Sequence, residues 1–85
     1  MITNNKIYAF GNKFSNRLEN QLIEGALNYI NHGESGLAFE ILCDHLVEKS
    51  VCLSSEEYNQ AMELISDLQL DPGRTPFVHL GDLII

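Results

Sequence analysis

Eighty-five residues with a 45% apolar content make a single small domain: the chain is too short for a second core and too apolar to remain disordered. Twelve Asp+Glu against five Lys+Arg leave a formal charge of −7, the reverse of the balance that phosphate-backbone binding requires. That acidity suits a cationic partner and equally serves solubility, so charge alone does not separate the two uses.

In chain order, Ile7, Phe10, Phe14 and Leu18 recur at three and four residues, which predicts a first helix over Asn4–Arg17 with Gly11 as its weak point. Leu22, Ile23, Ala26, Leu27 and Ile30 predict a second over Glu19–Asn31, with Asn20, Glu24, Asn28 and Asn31 on its polar face. Gly33 fits a left-handed stop, and Ser35 is placed to cap a third helix while Glu34 meets its positive end. The third helix is expected over Gly36–Lys49. Its core face is Ala38, Phe39, Leu42, Cys43 and Leu46, extended by Leu37, Ile41 and Val47, which makes it central. At about 100° per residue, Glu40, Asp44 and Glu48 fall in one stripe away from that face. Ser54-x-x-Glu57 is a capping box that opens a fourth helix, with Tyr58, Ala61, Met62, Ile65 and Leu68 as its buried side and Asp71-Pro72-Gly73 as its end. The segment Phe77–Ile85 is too apolar to be left in water and should dock on the bundle. The fold class is therefore all-α: a compact four-helix bundle with a short docked C-terminal tail.

Chemistry is sparse along this framework. Cys43 and Cys52 form no CxxC and join no His/Cys cluster at zinc spacing, and Cys43 sits in an apolar helix pattern as a buried thiol. His32, Glu34 and His45 lack further ligands at a metal-binding spacing. Cys43 and His45, two apart on a helix, point to different sides, and Ser35 has no nucleophile elbow or base. No catalytic residue, cofactor site or metal site is expected, and the chain is read as a non-enzyme. It shows no signal-peptide pattern and no apolar run near the length of about 20 residues that a membrane helix needs, so a cytoplasmic location and no membrane partner are expected. Tyr29 and Tyr58 fit either aromatic anchors for a partner or half-buried core positions.

The run Leu22-Ile-Glu-Gly-Ala-Leu-Asn-Tyr-Ile-Asn-His-Gly-Glu34, followed by Gly36-Leu-Ala-Phe-Glu-Ile-Leu-Cys-Asp-His-Leu-Val-Glu48, resembles the Maf-type immunity proteins of bacterial contact-dependent inhibition systems. The resemblance lies in Tyr29 at a helix end, the turn His32-Gly33-Glu34, and the helix carrying Leu37, Ala38, Glu40, Leu42 and Leu46, with Glu48 and Glu57-Tyr58 also matching. It spans about Leu18 to Leu70. It implies an antitoxin that binds the toxic C-terminal domain of a polymorphic toxin, often a nuclease and in some cases an EndoU-type ribonuclease. The partner would then be a basic protein and not a nucleic acid. The expected partner-binding residues are Glu34, Glu40, Asp44 and Glu48, with Glu56, Glu63 and Asp67 of the fourth helix as the other acidic face. Two other classes remain open. Glu34-Ser35-Gly36-Leu37 before an acidic helix is similar to the modified serine of acyl carrier proteins, except that Gly36 separates serine from leucine. A generic helical adaptor that binds an amphipathic partner helix is the other.

Overall fold

The computed structural model describes residues 2–85. Four α-helices, α1 (Ile2–Asn12), α2 (Asn20–Leu27), α3 (Ser35–Glu48) and α4 (Ser55–Asp67), are joined by a short 3-10 helix at Asn28–His32 and followed by another at Phe77–Leu83. The fold is all-α, with no strand among the described residues beyond an isolated parallel bridge, Leu53 to Ile84.

The core is built on α3, as its apolar pattern implies. Ala38, Phe39, Leu42, Cys43 and Leu46 are all fully buried. Burying a leucine or phenylalanine contributes about 1.5–3 kcal/mol. The four phenylalanines run through the core as one chain of rings. Phe14 meets Phe10 edge-on at 5.1 Å, Phe10 meets Phe39 at 5.8 Å, and Phe39 stacks on Phe77 at 5.8 Å. They come from α1, the turn after it, α3 and the C-terminal segment, so this chain of rings ties four parts of the sequence together.

The C-terminal segment does dock. Phe77 and Leu80 are buried beside α3, and the Leu53 amide donates to the Leu83 carbonyl at 2.9 Å while Ile85 donates back to Leu53 at 3.0 Å. Val78, Ile84 and Ile85 stay exposed.

Several boundaries differ from the expectation. α1 ends at Asn12, not Arg17. Residues 13–17 remain coiled through shorter i→i+3 bonds, such as Lys13 to Phe10 and Arg17 to Phe14, which keep Phe14 on the core side. Turns of this kind satisfy the same spacing as a helix, so the periodicity overran the helix end. Gly11 is buried where α1 packs tightly: a Cβ there would sit 3.3 Å from Leu27 and 3.4 Å from Leu42. The second predicted helix divides into α2 and a 3-10 turn ending at Gly33, whose φ of 75° is the left-handed stop expected.

α3 is not capped by Ser35. Ser35 is its first residue, and its hydroxyl donates to Asn4 Oδ1 at 2.6 Å, linking the start of α3 to α1. Glu34 holds the cap position without a side-chain capping bond. The capping box of α4 is present in full: Ser54 Oγ accepts from the Glu57 amide at 3.1 Å, and Glu57 Oε1 accepts from the Ser54 amide at 2.9 Å. The buried side of α4 is rotated from the expected one, to Glu57, Ala61, Leu64 and Ile65, with Tyr58, Met62 and Leu68 only partly covered. Just past the ends of α3 and α4 stand residues with positive φ that are not glycine, Ser50 at 51° and Gln69 at 57°. In both, the next amide closes a six-residue loop, Val51 to Leu46 and Leu70 to Ile65.

Candidate partner-binding face

The charged side chains divide into two sets, which the packing of the helices separates. The first lies where α1 packs against α4. Lys6 stands 3.2 Å from Asp67 and 3.8 Å from Glu63. Hydrogen bonding to Asp67 and the two carboxylate charges hold its ammonium above the usual range. Lys13 donates to Gln60 Oε1 at 2.7 Å.

Arg17 is the best-tied of the three cations. Its guanidinium reaches Glu57 through both terminal nitrogens, at 3.0 and 2.6 Å, donates to the carbonyls of Cys52 and Lys13, and lies 4.6 Å over the Phe14 ring. A two-pronged bond of this kind is stronger and more directional than a single ion pair. Glu57 is the one buried charged residue of the core, and the Arg17 bonds, with the Ser54 cap, lower its carboxyl from 4.5 to about 2. Every buried side-chain nitrogen and oxygen among the described residues has a hydrogen-bond partner.

The second set lies on α2, the 3-10 turn and α3. Between Leu18 and Glu48 the chain carries Glu19, Glu24, Glu34, Glu40, Asp44 and Glu48 and not one lysine or arginine. These 31 residues hold −6 of the formal charge of −7, and the rest of the chain holds −1. Among the described residues, only Glu40 of these meets a cation, Arg74 at 3.7 Å.

The seven acids singled out in the sequence thus fall into different environments. Glu34, Asp44, Glu48 and Glu56 are exposed and form no ion pair among the described residues. Glu40 is half-buried against Arg74, while Glu63 and Asp67 belong to the Lys6 contact.

Two of the exposed large apolar side chains, Leu37 and Tyr29, lie with the second set. Leu37, expected to extend the core face, is 39% exposed. Seven and eleven positions along a helix return to within about 20° of the starting direction, so Leu37 heads the stripe of Asp44 and Glu48 instead. Tyr29, 40% exposed, makes no side-chain hydrogen bond among the described residues. It shares with Gly25, Asn28, His32, Glu34 and Leu37 a surface hollow of about 680 Å³. His32 is tied back through Nδ1 to the Asn28 carbonyl at 3.2 Å. Tyr58, the other tyrosine weighed as an anchor, is partly buried against the core.

No family model matches this chain, and no curated protein or solved structure matches it.

The remaining reactive groups are dispersed. Both cysteines are free thiols. Cys43 is fully buried, which pushes its thiol well above the usual range, and Cys52 is exposed. No group of three or more His, Cys, Asp or Glu among the described residues is placed to hold a metal ion, and no helix is long and apolar enough to cross a membrane.

The sequence reading passed over Gly25, assigned Leu37 to the core face, and did not see that Lys6 would neutralise Glu63 and Asp67. The stretch without a cation was visible in the sequence. The compensation of α4 was not, because it depends on which helix lies against α1.

Proposed function

We propose that this chain is a non-catalytic binding protein that neutralises a basic protein, and that it serves as an immunity protein for a nuclease toxin domain in the bacterial cytoplasm. The observation that carries this reading is the segregation of charge. Apart from Glu40, which meets Arg74, the acids of α2 and α3 form no ion pair among the described residues, and they share their side of the molecule with exposed Tyr29 and Leu37. Carboxylates without internal partners steer a cationic surface and fix its register, while aromatic and aliphatic anchors supply most of the affinity. A nuclease presents a cationic cleft to hold its phosphate substrate, so an acidic helical face can block it without any chemistry. The resemblance of Leu18–Leu70 to the Maf-type immunity proteins supports the same class of partner. The site proposed is Glu34, Asp44 and Glu48, with Glu40 at its edge.

The carrier alternative draws less support. The Ser35 hydroxyl is half-buried and donates to Asn4, so a transferase would first have to break that bond.

The test is titration of a cognate toxin domain with this protein. Nuclease activity should fall linearly to zero near one equivalent, and unrelated nucleases should be unaffected. Inactivation of many toxin molecules by one molecule of this protein, or a phosphopantetheine adduct on Ser35 in protein from its native host, would contradict the proposal.

A further inference from the structure

α2 contains a glycine that the fold does not require. Gly25 has no left-handed φ, and a Cβ built on it would meet nothing within 4 Å, whereas Gly11 is hemmed in by Leu27 and Leu42. Glycine inside a helix is destabilising relative to alanine, so a helical glycine with empty space beside it weakens α2 without any gain in packing. What Gly25 does is line the surface hollow formed with Asn28, Tyr29, His32, Glu34 and Leu37. A longer side chain at this position would project into that space.

The walls of the hollow define what fits. Tyr29 offers an exposed ring, Leu37 an exposed aliphatic side, and Glu34 a carboxylate with no cation near it among the described residues. A ring and an aliphatic wall cover a long apolar stem, and a planar guanidinium both stacks on an aromatic face and bonds a carboxylate through its fork. No ion pair among the described residues brings a lysine or arginine of this chain to Glu34, so a cation filling the hollow would come from another molecule.

We propose that the hollow bounded by Gly25, Tyr29, Leu37 and Glu34 is an anchor pocket for one arginine side chain of a basic protein partner. The proposal rests on the reading of the α2–α3 side as the binding face, and it adds the point on that face where a single side chain is gripped.

The experiment is an NMR titration with a tetra-arginine peptide, followed on backbone amides. In the native protein the largest shifts should fall on Gly25, Tyr29 and Leu37. Gly25→Leu should melt no lower than the native protein, because leucine favours the helix, and should weaken peptide binding about tenfold. Gly25→Ala, which adds only a methyl, should raise the melting temperature and weaken binding less. A Gly25→Leu protein that is folded and binds as the native one does would overturn the pocket. If Glu34→Gln/Asp44→Asn/Glu48→Gln then weakens binding while Gly25→Leu does not, the acidic face stands and the anchor falls. If neither substitution set weakens it, both fall.

Discussion

The α1–α4 side and the α2–α3 side use the same residue types to different ends. On the first, Lys6, Lys13 and Arg17 each reach a side chain of α4, and Glu57, Glu63 and Asp67 are tied into the fold, with Glu56 left free. On the second, six acids occupy a stretch without a cation, and among the described residues only Glu40 is met, by Arg74 from outside the stretch. A carboxylate becomes structural where packing brings a base to it, and it stays free for a partner where packing does not. Spacing along one helix cannot tell these apart, because the base comes from another helix.

The largest effect should come from the core that both sides share. Phe39→Ala removes the ring between Phe10 and Phe77 and should cost about 3–5 kcal/mol, enough to leave much of so small a domain unfolded. Chemical denaturation would show it. A loss below about 1 kcal/mol would mean the chain of rings does not hold the helices together.

Glu57→Gln comes next and concerns the α1–α4 side alone. It keeps a hydrogen-bonding cap and removes the charge that Arg17 holds. It should cost about 2 kcal/mol at neutral pH, allowing for the partial exposure of Arg17. The pH dependence has a definite sign. Because folding lowers the Glu57 carboxyl from 4.5 to about 2, its contribution is complete above 4.5 and disappears as pH falls toward 2. Denaturation curves across that window should converge for native and Glu57→Gln proteins at the acidic end. A constant gap would show that the charge is not the source of the stability.

Lys6→Ala should have a smaller effect. The pair with Asp67 and Glu63 is exposed, so its loss should lower the melting temperature slightly at low salt and not measurably at high salt. An equal loss at both salt levels would point to packing of the lysine stem and not to charge.

Much of the fold was legible in the sequence, and for identifiable reasons. The period of Ala38, Phe39, Leu42, Cys43 and Leu46 marked α3 as central because a stripe that wide has to be buried. Ser54 and Glu57 marked the start of α4 because capping is local chemistry. Gly33 marked a stop because a left-handed residue is cheapest as glycine. The ends at Ser50 and Gln69 carried no such mark, since neither residue is the usual one for positive φ. The end of α1 was hidden because Phe14 and Leu18 keep the helical spacing through turns. Leu37 was read as core because a leucine beside a core face fits the pattern, and only the packed structure shows that it heads the acidic stripe. Glu57 was read as a cap and as part of the resemblance, not as the partner of a cation. Its bond to Arg17 spans 40 residues of sequence, a separation at which no local pattern operates.

The central claim is that the free acids of the α2–α3 side, and not those of α4, receive a cationic partner. The most direct measurement compares two triple substitutions that change net charge equally: Glu34→Gln/Asp44→Asn/Glu48→Gln and Glu56→Gln/Glu63→Gln/Asp67→Asn. Affinity for a tetra-arginine peptide is measured for each at low and high salt. The first triple should melt close to the native protein, bind weakly, and lose most of the salt dependence. The second should bind nearly as the native protein does, its effect limited to the Lys6 contact and the general loss of charge. Equal weakening by the two triples, or stronger weakening by the second, would contradict the assignment of the binding face to α2 and α3.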